Sequence, residues 1–171
     1  LAGLLSTTVP LLLASVAGWD SLSIGLMIGV PMGIMALGSW PAGVLADRFG
    51  NLKVRTIAAL VYAVAVAAIP ILGPGPQWLL LAVMLALGVA ASALMPTALT
   101  FAARTERGSV AMGACHAAGN AGYLVGIAGA GGLLGLLGGP QPKIIDYTMT
   151  IQIFALLHVA ITGITLARLA R

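Results

Sequence analysis

Charge is the scarcest property of this sequence. Eight Lys or Arg and four Asp or Glu make up 7% of its 171 residues, whereas 60% are hydrophobic. A water-soluble domain carries about one charged residue in four and uses them to cover its outside, so a chain this bare would turn apolar surface to water. Soluble folds are excluded on that ground, and a membrane protein is the expectation. The single cysteine, Cys115, excludes an intrachain disulfide and a cysteine-rich metal site. No metal and no cofactor is called for. The net charge of +4 comes from basic residues too few and too scattered to form a phosphate-binding stripe, which argues against a nucleic-acid partner. Leu1 is not Met and already lies in an apolar run, with neither a basic n-region nor a small-residue cleavage site. The chain therefore reads as starting inside a longer sequence rather than with a signal peptide.

What the chain does have is long apolar stretches. Six run over about 2–18, 22–45, 56–72, 78–103, 109–137 and 147–167, separated by five short polar or Gly/Pro-rich gaps. Each is long enough to cross about 30 Å of hydrocarbon as a helix, and each is continuously apolar rather than alternating, which excludes a barrel. The fold class expected is an all-α membrane protein, one bundle of six transmembrane helices with no soluble domain. Arg48, Lys53, Arg55, Arg104, Arg107, Arg168 and Arg171 fall on one side of such a bundle, and only Lys143 on the other, beside Asp20 and Asp146. Basic residues mark the cytoplasmic side, so both chain ends are expected there, in a multi-pass protein of the plasma (cell inner) membrane. Trp19, Trp78 and Tyr147 stand at span ends as interface anchors.

Small residues recur at helix-packing spacing. Gly25, Gly29 and Gly33 repeat every four residues in the second span; Gly113, Gly122 and Gly126 lie in the fifth. Both sets are expected to let neighbouring backbones approach closely in lipid. Pro10, Pro31 and Pro96 sit inside spans, where each frees a carbonyl and bends its helix.

The segment from Gly43 through Asp47, Arg48 and Gly50 to Lys53 resembles the loop motif of the major facilitator superfamily, which joins the second and third helices of a six-helix half. Asn51 and Leu52 depart from it where basic residues are usual. Physically, Gly43 suits a close helix contact, Gly50 a tight turn with positive φ, and Asp47 can accept from N–H groups at a helix start while pairing with a base. The resemblance implies that this turn is a conformational latch on the cytoplasmic side. A weaker likeness, in Gly113, Gly122, Gly126 and Gly131, is to the fifth-helix motif of drug/proton antiporters, but Ile127 replaces its Pro and Ala130 one of its glycines. The superfamily is built of two six-helix halves with a substrate site between them. By that resemblance the chain is one half, and the missing half, most simply on the same polypeptide, is its partner. The carboxyl-terminal half is favoured, because the fourth span has no Arg and the chain ends in Leu166-Ala-Arg-Leu-Ala-Arg171 without a polar linker.

No Asp, Glu, Lys or Arg lies inside a span, so charged relays are absent from this chain. His116, Asn120 and Tyr123 follow at four and three residues and share one helical stripe, the candidate lining of a substrate path. Ser6, Thr7 and Thr8 near Pro10, with Ser92, Thr97 and Thr100 around Pro96, are second candidates; hydroxyls there also serve to bond the carbonyls that proline frees. Secondary transport of a small solute, as permease or efflux pump, is the function expected. A half-size protein working as a homodimer or scaffold is the alternative. An intramembrane enzyme would need a nucleophile, an activating base and an oxyanion site, and no Gly-x-Ser-x-Gly, His-Glu-x-x-His or membrane Asp pair is present.

Overall fold

The computed structural model describes residues 2–169, and within them the chain forms six α-helices: α1 (Ala2–Ser15), α2 (Ser21–Phe49), α3 (Asn51–Leu72), α4 (Gln77–Ala103), α5 (Gly108–Gly138) and α6 (Ile144–Leu169). Five of them, α2 to α6, are long and apolar enough to cross a membrane. The described part of α1, at 14 residues, spans only about 21 Å at 1.5 Å per residue.

The elements differ from the hydropathy reading most at the second loop. Residues 46–55 are polar and look like a connection, yet α2 runs on to Phe49 and α3 begins at Asn51, so the connection is the single residue Gly50. Loss of apolarity there marks the edge of the hydrocarbon, not the end of the helix. Ala46, Asp47, Arg48 and Phe49 do not break a helix, whereas Gly50 adopts φ 94° and ψ 130°, a conformation that a Cβ makes costly. Its N–H donates to the Ala46 carbonyl at 3.0 Å and its carbonyl accepts from Val54 at 3.2 Å, so one residue serves both helices. At the opposite end α1 stops at Ser15, short of the predicted Gly18, which takes φ 66°. Asp20 then caps α2, its carboxylate accepting from the N–H groups of Leu22 and Ser23 at 3.0 Å each. The Ser23 hydroxyl bonds the same carboxylate, and these bonds hold Asp20 below the usual carboxylate range.

Helix α4 is the hub: it packs between α2 and α3, while α3 also meets α6 and α1 lies along α5. Leu4, Leu12 and Leu13 of α1, Val66 and Ile69 of α3, Leu80 and Met84 of α4, Leu134 of α5 and Ile151 of α6 form one buried cluster. Polar side chains tie helices across it. The Asn51 amide donates to the Thr97 carbonyl at 3.0 Å and Arg55 to the Leu94 carbonyl at 3.2 Å, joining α3 to α4. Gln152 donates to the Ala67 carbonyl at 3.0 Å, joining α6 to α3. In lipid such bonds replace what water would supply.

Close helix approach occurs, but mostly at other glycines than the spaced sets. A Cβ at Gly88 would stand 2.9 Å from Pro31 Cα, one at Gly38 2.9 Å from Ser92 Oγ, and one at Gly3 would run into the Tyr123 carbonyl. Gly126 does pack closely, with its Cβ position 3.2 Å from Gly3 Cα. Gly25, Gly29, Gly33, Gly43, Gly113 and Gly122 have nothing within 4 Å of theirs among the described residues. The spacing makes a smooth stripe; whether a neighbour lies on it depends on the helix's rotation, and α2 turns its Gly38 side to α4 instead.

Candidate functional site

A cleft of about 140 Å³ opens between α1, α2 and α4, floored by Tyr62 of α3 and edged by Tyr123 of α5. Leu5, Ser6 and Val9 line it from α1, Pro31, Met32 and Met35 from α2, and Met84, Leu87 and Ala91 from α4. Gly88 lets this wall form, because α2 and α4 touch where it leaves room for Pro31. Among the described residues no charged side chain lines the cleft, so it offers a solute dispersion contact and a few hydroxyls rather than an ion pair. Flexible thioethers adapt to varied apolar shapes.

Of the path candidates, Ser6 and Tyr123 are brought together at this cleft. Asn120 and His116 continue the Tyr123 stripe along α5 towards the basic end, and both are exposed. Thr7 is half-buried and its hydroxyl donates to the Gly3 carbonyl at 3.2 Å. Thr97 is a correction. It is fully buried, with its hydroxyl on the Ala93 carbonyl at 2.7 Å, and belongs to the contact of α4 with α3. Its helical phase sets it about 80–140° from Met84, Leu87 and Ala91, and it does not line the cleft. Neither the Ser6 nor the Ser92 carbonyl, freed by Pro10 and Pro96, receives a hydroxyl among the described residues; Thr8 bonds Leu4, Ser92 bonds Val89 and Thr100 bonds Pro96 instead. A side chain reaches the turn before its own more easily than a carbonyl displaced by a ring.

Sequence reasoning passed over Tyr62, Met32, Met35 and Met84. The available signal was methionine spacing next to Pro31, which reads equally well as core. It also passed over Asn51 and Arg55 as clamps on α4, since they stand in the motif only as departures or topology charges.

The model of the Major Facilitator Superfamily matches residues 1–170. The chain belongs to this superfamily, and it is accordingly a membrane transporter protein and not an enzyme. No curated protein and no solved structure matches it. In this superfamily member the motif residues gather around the Gly50 turn. Asp47 and Arg48 occupy the last turn of α2, both exposed, and Lys53 stands in the first turn of α3. Arg48 lies over the Phe49 ring, 5.6 Å from its centroid. Asp47 neither caps α3 nor pairs with a base among the described residues, because α2 continues past it and α3 begins beyond Gly50 with no side-chain cap. The motif carboxylate thus stands clear at the end of the bundle. The exposed face of α2 carries Leu37 and Trp40, 83% and 81% exposed, and that of α5 carries Leu136, 85% exposed. These faces suit lipid or another helical bundle.

Proposed function

We propose that this chain is one six-helix half of a secondary transporter that moves a small uncharged or amphipathic solute by alternating access, rocking against a second half. The observation that carries the reading is the cleft itself. It is apolar, it is formed by α1, α2 and α4, and Tyr123 links it to the His116 and Asn120 stripe on an otherwise uncovered face of α5. A second bundle placed over the open faces of α2 and α5 would turn this cleft into an enclosed path. The basic end carries the Gly50 turn, with Asp47 free to engage that partner as a latch, and the excess of Arg and Lys there orients both chain ends to the cytoplasm of a plasma membrane. The carboxyl-terminal half is the assignment we favour.

The test uses the full-length protein with Cys115 replaced by Ser and a reporter cysteine in the cleft at Met35. Asp47→Asn is expected to raise labelling of that cysteine from the basic side severalfold, and unchanged labelling counts against the latch. His116→Ala and Asn120→Ala are expected to weaken transport of a cognate solute about three- to tenfold each, the scale of one lost hydrogen bond. Wild-type rates and affinities in both variants would remove the stripe from the path.

A further inference from the structure

The bundle has a second concavity, unrelated to the cleft. It is a groove of about 640 Å³ between α2 and α3, with α4 as its floor. Leu45 and Phe49 of α2, Val54, Ile57 and Val61 of α3, and Val89 of α4 are among its walls, and among the described residues Lys53 is the one charged residue that lines it. The groove residues of α4, Val89, Ala90, Ser92 and Ala93, stand roughly 170° around the helix from Met84, Leu87 and Ala91 of the cleft, at 100° per residue. The groove therefore opens on the reverse side of α4, away from the face that lines the cleft. Its large side chains are uncovered: Ile57 is 63% and Phe49 57% exposed.

Length and charge together specify an occupant. From Ile34 to Phe49 the groove runs about 22 Å along α2 at 1.5 Å per residue, enough for an acyl chain crossing one leaflet, which is about half of a 30 Å hydrocarbon core. The Gly50 turn stands at the basic end of the bundle next to the groove residue Phe49, and Lys53 follows it in the first returning turn of α3, from which a long side chain can lift its ammonium to headgroup depth. Arg48, set over Phe49 at the same end, adds a second cation beside an aromatic wall. An apolar trough with Lys53 in its wall and Arg48 over its Phe49 end is complementary to an acyl chain ending in a phosphate.

We propose that the α2/α3 groove is a binding site for an anionic glycerophospholipid, with one acyl chain along Val61, Ile57 and Phe49 and its phosphate on Lys53 and Arg48. Because Lys53 and Arg48 also belong to the Gly50 turn, the bound lipid would couple membrane composition to that turn. The inference goes beyond transport and does not depend on the solute.

The experiment titrates the delipidated full-length protein with dioleoyl phosphatidylglycerol or dioleoyl phosphatidylcholine and reads bound lipid by native mass spectrometry. The wild type is expected to prefer phosphatidylglycerol. Lys53→Gln should weaken that lipid about fivefold and flatten the preference, Lys53→Arg should retain it, and Val61→Trp, which fills the trough, should weaken both lipids. Should Lys53→Gln not fold, a benzophenone side chain at Ile57 supplies an independent reading, with a phospholipid adduct expected on illumination. The proposal is overturned if the two lipids bind equally, if Lys53→Gln and Val61→Trp bind phosphatidylglycerol as the wild type does, if glycerol 3-phosphate displaces the lipid, or if the Ile57 adduct is to a protein helix. Lipid is read directly, so failure here leaves the transport reading intact.

Discussion

Asn51 reaches across from the first turn of α3 and donates its side-chain amide to the main-chain carbonyl of Thr97, 3.0 Å away and 46 residues later in the chain. Both residues are buried, so the bond fixes the Gly50 turn to α4 one residue past Pro96. The turn and the hub helix should move as one piece. Asn51→Leu is expected to lower stability by about 1 kcal/mol, the net worth of such a bond, seen as a lower melting temperature of the detergent-solubilised protein. An unchanged melting temperature would mean that the turn is held by the helices alone.

Contact, rather than spacing, decides which glycines matter to the bundle. Gly88→Ala puts a methyl group against Pro31 Cα and is expected to cost about 1–3 kcal/mol, as overpacking does. Gly29→Ala meets nothing within 4 Å and should leave thermal stability of the bundle as it is. Equal losses from both would show that the two glycines are buried alike.

The Gly50 turn gives a second contrast, this time of backbone rather than space. Gly50→Ala must hold φ near 94°, for which about 1–3 kcal/mol of strain is expected, whereas Gly43→Ala sits in a regular helix with open space around it and should be tolerated. Comparing urea or thermal unfolding of the two variants decides it, and equal tolerance would mean that the turn can relax.

Asp20 makes the α2 cap sensitive to acid. The Ser23 hydroxyl and N–H hold its carboxyl below the usual range, so its contribution is present above the unfolded-state value near 4 and is lost as pH falls through the lower folded value. Melting temperature is therefore expected to be flat with respect to this group from neutral pH to about 4 and to fall below that. Asp20→Asn keeps an acceptor for the cap and should flatten the acid limb. An identical limb in the variant would assign it to other carboxylates.

Several features were legible in advance because they depend on composition and local chemistry. Scarce charge and long apolar runs specify membrane helices whatever packs against what. The Gly50 reversal and the Gly43-to-Lys53 pattern are local as well, since a positive φ and a hinge between two helices concern one residue and its neighbours. The common face of His116, Asn120 and Tyr123 was also within reach, because a stripe at helical spacing shares a face in any α-helix. Thr97 was not, because its role depends on where α3 lies, and Asn51 read as a departure from a motif until it was found bonded to α4. The glycine spacing in α2 described a smooth face without saying whether anything rests on it.

The amino-acid sequence by itself determined that this is a helical membrane protein, which ends carry its charge, where its chain reverses at Gly50 and which superfamily it joins. All but the superfamily, which the motif pattern and the whole length of the chain carry, follow from transfer free energy or from backbone sterics acting over a few residues. Only the tertiary structure decided that Gly88 and not Gly29 brings helices together, that Thr97 is buried while Ser6 lines the cleft, and that α4 separates an apolar cleft from a groove ending in Lys53. Those outcomes depend on the rotation and contact of whole helices. In a chain made mostly of Ala, Leu, Gly and Val, nearly every face is apolar enough to be buried, so packing rather than polarity selects the one that is.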